Sequence, residues 1–201
     1  MSEPAEASGA PRDAIAVRRA AILVAAIGVF SRYGFKKASM DDLGRAAGLS
    51  RQGLYLHYPT KETLFKAVVL EVVAKMRHAG AAALARDDLD IEARLLGAFE
   101  AVHAGMIGKP HGEHMAELID AATEIVGPVV AELEESMVAS VAGLLKKSDV
   151  AARWKDVGLA ASDLAAQLDV SSRGTKHSVK SLAEYRTRMA VAVRLVCRGG
   201  S

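Results

Sequence analysis

The sequence predicts an all-α protein of about nine helices, and three observations carry that expectation. Alanine dominates a 201-residue chain that is 51% hydrophobic and 4% aromatic, and alanine is the strongest helix former because ordering it costs no side-chain entropy. Apolar residues recur at helical spacing, as in Ile91, Leu95, Phe99, Val102 and Met106. Serines and threonines stand where helices would begin and glycines where they would end. No stretch alternates as a half-buried strand would. The length suits one domain with a sizeable core, or a small head on a larger body.

The opening "MSEPAEASGAPRD" is polar and carries Glu3 and Glu6 rather than a basic segment before an apolar one, so residues 1–12 are expected to form a disordered arm and not a signal peptide. The first helix should run from about Asp13 to Tyr33 and stop at Gly34. Its apolar run "AAILVAAIGVF" is broken by Arg32, short of the roughly 20 residues that cross a bilayer, so no membrane partner is expected. Ser39 caps a second helix, with Asp42 three residues on in a capping-box-like pattern. That helix ends at Gly48. Ser50 caps a third, very short helix that must finish near Tyr58, because Pro59 disfavours helical geometry before it. Thr60 caps a fourth, through Leu64, Val68, Val72 and Met76.

The Ile91–Met106 stripe makes a fifth helix, ended by "GKPHG". A sixth begins at about Gly112, and Pro128 opens a seventh at a first helical position, with Lys146 and Lys147 placed late as the helix dipole favours. "DVAARWKDV" reads as an irregular connection with a short turn of helix. The last two helices are expected over about Leu159–Arg173, stopped by Gly174, and Ser178–Arg198. Cys197 is the single cysteine, which excludes an internal disulfide and agrees with a reducing cytoplasm. Net charge is only +2, yet the chain through Lys61 has nine Lys/Arg against five Asp/Glu, and the remainder has 17 against 19. A basic head hints at a polyanionic partner.

The residues with functional chemistry lie in "AGLSRQGLYLHYPTKETLF", Ala47–Phe65. Small Ala46 and Ala47, a positive-φ Gly48 and an apolar Leu49 are what a helix-turn-helix needs at its elbow, with Leu43 and Leu54 meeting inside it. That leaves Arg51, Gln52, Gly53, Tyr55 and His57 on exposed or edge positions of a helix suited to a major groove. Arg51 can donate to guanine O6/N7 or to a phosphate, and Gln52 can read adenine bidentately. Gly53 lets the backbone approach closely. Tyr55 and His57 can hydrogen-bond phosphates, while Ser39 and Lys61 sit near helix N-termini that favour anions. Ser39, Ser50 and Thr60 are caps first, and Tyr58 is expected in the core.

"SMDDLGRAAGLSRQGLYLHYPTKETLF" resembles the DNA-binding head of TetR-family transcriptional regulators over about residues 18–66. The resemblance implies a helix-turn-helix domain over 13–60 and a ligand-binding and dimerisation body over 61–201. It implies a homodimer on a two-fold double-stranded DNA operator, repressing and released by a small apolar or amphipathic effector, with DNA contact at Ser39, Ser50, Arg51, Gln52, Gly53, Tyr55, His57 and Lys61. Three residues depart from the pattern. Gly44 replaces the usual alanine, Met40 replaces a small or polar residue, and Leu56 stands where a basic or polar residue is common. Leu56 either touches a thymine methyl or packs.

Leu164 and Leu168 form one stripe, and Leu182, Tyr185, Met189, Val193 and Val196 another. These are expected at a four-helix dimer interface, the alternative being burial against the chain's own body. Phe99, His103, Met106, Met115, Met137 and Trp154 are the larger candidates for an effector pocket, although methionines also fill ordinary cores. His103, His111 and His114 lack cysteine partners, so no metal site is expected. No phosphate loop, paired carboxylates or Ser/His/Asp arrangement is found, so neither catalytic residues nor a cofactor are expected. The competing reading is a helical small-molecule-binding protein or enzyme with a structural helix-turn-helix.

Overall fold

The structure, a computed structural model, describes residues 11–105, 107 and 114–199. Among them are ten α-helices and one 3-10 turn: α1 (Pro11–Lys37), α2 (Met40–Ala46), α3 (Arg51–Tyr55), α4 (Lys61–Leu84), α5 (Ile91–His103), α6 (Met115–Val126), α7 (Val129–Lys147), α8 (Val150–Arg153), the 3-10 turn Lys155–Val157, α9 (Ala161–Ser178) and α10 (Leu182–Arg198). No strand occurs among the described residues. The tenth helix is α8, the short turn expected in the connection. The arm expected over 1–12 falls mainly outside the described residues, and helix already begins at Pro11.

Two compact units divide the chain: Met1–Glu71 with Gly112–Gly127, and Val72–His111 with Pro128–Ser201. The boundary expected from sequence stands at residue 60, and the division between these units lies after Glu71. It falls inside α4, and α6 joins the head because it packs on α1. In this first unit, Ile22, Ala26, Val29 and Phe30 of α1 are buried. Phe30, Phe35 and Phe65 form an aromatic cluster, with Phe65 edge-on to Phe30 at 5.0 Å between centroids and 4.8 Å from Phe35. Such pairs add to the burial energy of their large apolar area.

Residues Ala14–Lys37 of α1 are long and apolar enough to cross a membrane, at a mean hydropathy of 1.8, although Arg32 interrupts their most apolar run. The helix is nonetheless interrupted at Gly34, whose φ of 74° leaves helical geometry. The glycine stop is therefore real, and helix resumes only briefly beyond it. The same glycine admits a close neighbour. A Cβ there would lie 2.6 Å from Glu117 Oε2, and the Glu117 carboxylate accepts the Lys36 backbone N–H at 2.7 Å. That bond holds the Glu117 carboxyl below its ordinary range.

In the second unit, α7 packs on α9, α9 on α10, and α10 on α5. The core holds Leu95, Phe99, Met137, Val141, Leu145, Leu164, Leu168, Tyr185, Met189 and Val193. Gly80 permits the later part of α4 to approach, since a Cβ there would lie 3.3 Å from Met137 Sδ and from Val102 Cγ2. Trp154 Nε1 donates to the Val196 carbonyl at 2.8 Å, and Arg198 grips Glu92 bidentately at 2.6 and 3.0 Å. Gly174 does not stop α9. Helix runs on to Ser178, and α10 starts after Ser181, whose Oγ accepts the Glu184 N–H. A glycine costs roughly 1 kcal/mol inside a helix, and α9 continues through Gly174 despite it.

The stripes expected to join two copies have a different role. Leu164, Leu168, Tyr185, Met189, Val193 and Val196 are all buried in this chain's own core, and Leu182 is packed against it. A side chain already covered by its own fold has no apolar area left to bury against a second copy. The faces of α9 and α10 that remain open carry Ala166, Val170, Val191 and Leu195, the last three 54, 49 and 67% exposed.

Candidate nucleic-acid interface

The elbow is built by short-range geometry. Ser39 caps α2, its Oγ accepting the Asp42 N–H at 3.2 Å and donating to Asp42 Oδ2 at 2.5 Å. At the other end the Leu49 N–H reaches back to the Gly44 carbonyl at 2.8 Å, and Gly48 takes φ 66°. Only glycine enters that region without steric cost. Gly44 has a reason of its own: a Cβ would lie 3.1 Å from the Leu49 carbonyl oxygen and 3.3 Å from that of Ser50. The missing side chain permits close approach of α2 to the start of α3, at the cost of some helix propensity. Leu43 and Leu54, at 1 and 0% exposure, fill the elbow as expected, and Met40 is buried and therefore unable to reach a base.

Ser50 caps α3, its Oγ accepting the Gly53 N–H at 3.0 Å. With Leu54 anchored inside, Arg51, Gln52, Tyr55 and Leu56 are exposed, and Gly53 and His57 are half-buried. The Arg51 guanidinium donates to Tyr55 Oη at 3.4 Å and lies over that ring at 5.7 Å from its centroid. This cation–π pairing restricts the arginine's rotamers at an open surface. Tyr58 is buried, as expected, beneath the Arg19 guanidinium. Arg19 also donates to the His57 carbonyl at 3.4 Å and Arg18 to that of Gly48 at 3.5 Å. Thus α1 braces both the turn and the end of α3.

Lys61 departs from expectation. Its ammonium donates to the carbonyls of Phe35, Lys36 and Ala38 at 2.9, 3.3 and 3.1 Å and sits 4.6 Å from the centre of the Phe35 ring. An ammonium has three protons, and all three are engaged in closing the α1–α2 link. The residue is a structural clasp in this arrangement rather than a free phosphate donor. No property of its local sequence signals this, because the three carbonyls lie 23 to 26 residues earlier.

Of the candidate effector residues, Phe99 and Met137 are core residues, Trp154 packs against that core, and Met115 belongs to the other unit. Met106 lies outside the described residues, as does His111. His103 is the informative member. It is 6% exposed, and its Nδ1 has no hydrogen-bond partner among the described residues. Burial, with the charges of Lys176, His177 and Arg173 adding to it, pushes its pKa down to about 4. Its ring stands edge-on to Tyr185 at 6.0 Å, and Tyr185 Oη shares a 2.7 Å hydrogen bond with Ser172 Oγ. Arg173 Nε lies 2.9 Å from Asp169 Oδ2, close enough for an ion pair though not aligned for a hydrogen bond. Sequence reasoning passed over Ser172 and Asp169, because their burial depends on the packing of α7, α9 and α10, and over the half-buried Arg173 beside them. No group of three or more metal-ligating side chains is found among the described residues.

Residues 22–68 match the family of bacterial regulatory proteins, tetR family. The chain is 33% identical over 60 residues to the HTH-type transcriptional regulator RutR of Escherichia coli, which is 30% of this chain and 28% of that protein. It is 38% identical over 64 residues to an HTH-type transcriptional repressor of Mycobacterium tuberculosis, 32% of this chain and 34% of that one. The chain thus spans about a third or less of the length of these curated relatives. Two solved structures share the fold along most of both chains. A TetR-like transcriptional regulator from a Rhodococcus species covers 92% of this chain and 97% of its own, at a TM-score of 0.66 and 23% identity. A TetR-family regulator from Mesorhizobium loti covers 90% and 96%, at 0.61 and 21%. The matched segment coincides with the capped elbow and exposed α3, so residues 22–68 match the tetR family of bacterial regulatory proteins, and beyond them the likeness to the solved structures is one of all-α fold.

Proposed function

We propose that this chain is a DNA-binding transcriptional regulator that acts as a homodimeric repressor and leaves a palindromic operator when a small amphipathic molecule binds its body. One observation carries the DNA-binding part: α3 buries Leu54 and exposes Arg51, Gln52 and Tyr55 beside one another. A helix used only as a structural elbow gains nothing from an ordered guanidinium at its surface. Arg51 and Gln52 suit base edges, whereas Tyr55, His57, Ser39 and Ser50 suit phosphates.

A single α3 reaches one half-site, and a paired copy about 34–36 Å away would occupy the next major groove. The open faces of α9 and α10 with Val170, Val191 and Leu195 supply the apolar area for such a pairing. In the body, the buried and unpartnered Nδ1 of His103 supports one polar contact to an otherwise apolar effector. The reading places the protein with DNA in the cytoplasm.

The test is a mobility shift with DNA from the chain's own upstream region, titrated in salt. Binding should weaken steeply as salt rises, and Arg51→Ala should weaken it further. Absence of any complex at low salt would refute the DNA-binding reading. Complexes of one protomer only would refute the dimer.

A further inference from the structure

Leu56 is out of character with its surroundings. Its neighbours on the open side of α3 are polar, yet it is an aliphatic residue 85% exposed. No other large hydrophobic side chain among the described residues is as exposed. At φ −67° and ψ −24° it continues the helical path of α3, so its Cβ stands one turn beyond that of Gln52, on the same face. Leu54, two residues earlier, points the opposite way into the elbow at 0% exposure. Of the two roles open to Leu56 from sequence, packing within the chain is thereby removed.

The major groove presents hydrogen-bond donors and acceptors on every base pair, and its one apolar feature is the C5-methyl of thymine. We propose that Leu56 is a specificity-determining residue that reads a thymine methyl in each half-site, next to the base addressed by Gln52. This rests on the DNA-binding reading above and deepens it. Gln52 favours adenine and Leu56 favours thymine, so the recognition segment selects A·T pairs at its centre, with Arg51 on a flanking guanine or phosphate.

The experiment uses the purified full chain to select duplexes from a random pool, and then replaces each thymine of the selected site singly by uracil. That exchange deletes only the methyl and leaves base pairing intact. Removing one buried methyl should weaken binding about four-fold at one thymine per half-site, and about sixteen-fold when both halves are substituted. Leu56→Ala should bind thymine and uracil sites alike, while Leu56→Met, which keeps apolar reach, should retain the discrimination. Unchanged circular dichroism and melting of both variants would show that folding is intact. Uracil-insensitive binding by the native chain, or a uracil penalty persisting in Leu56→Ala, overturns this inference alone. Selection of no site at all overturns the DNA-binding reading and this inference with it.

Discussion

Replacing Lys61 by methionine separates two roles that its position allows. Methionine keeps the unbranched stem over the Phe35 ring but deletes the ammonium, and with it three donations to the carbonyls of Phe35, Lys36 and Ala38. A hydrogen bond from a charged donor contributes about 1.5–3 kcal/mol net. The half-buried side chain and water's access to the freed carbonyls argue for counting less than the sum of three. A loss of roughly 2–3 kcal/mol is expected, which for a chain of this size lowers Tm by about 4–12 °C. Differential scanning calorimetry reads that directly. The same variant should keep the slope of log K against log salt on operator DNA, because an ammonium spent on carbonyls releases no counterions from phosphate. Were Lys61 a phosphate contact, the slope would fall by about 0.9 per protomer. Unchanged melting together with a shallower slope would refute the clasp.

Arg51→Ala should cost about 1–3 kcal/mol of operator binding if the guanidinium reads a base, and Tyr55→Phe, which removes the phenol oxygen that orients that guanidinium and is offered to a phosphate, should also weaken binding but less; fluorescence anisotropy on labelled duplex checks both. Gly34→Ala should destabilise the head, because the backbone sits at φ 74° and the new Cβ would meet Glu117 Oε2 at 2.6 Å. About 1–3 kcal/mol is expected from the backbone alone, measured by urea unfolding. His103 should make stability fall with acid. Its pKa is about 4 in the folded chain against 6.5 ordinarily, so the unfolded chain binds more protons between those values. The contribution is complete above pH 6.5 and is lost as pH falls toward 4, at most about 3 kcal/mol. Urea midpoints at pH 7 and 4.5 should therefore differ less in His103→Gln than in the native chain, and an equal difference would exclude His103 as the cause.

The elbow was legible because its determinants are local. Ser39 and Ser50 cap helices through N–H groups three residues on, Gly48 supplies a backbone angle that side chains resist, and Leu43 and Leu54 are separated by one turn of chain. Helical periodicity likewise identified the buried stripes of α9 and α10. Periodicity records that a face avoids water, not what covers it, because hydrophobic burial has no preferred partner. The stripe through Tyr185, Met189 and Val193 therefore reads the same whether it meets a second copy or, as in this fold, α5 and α9.

Residue order alone settles which residues begin and end most helices, where the tight turn falls, and which side chains of α3 are polar. Only tertiary packing decided that Lys61 is drawn onto carbonyls from an earlier helix, that α6 closes against α1 at Gly34, and that His103 is buried and held neutral. Each of those outcomes depends on groups distant in sequence meeting at hydrogen-bonding or van der Waals distance. Such distances are properties of the assembled fold and leave no local pattern of residue types.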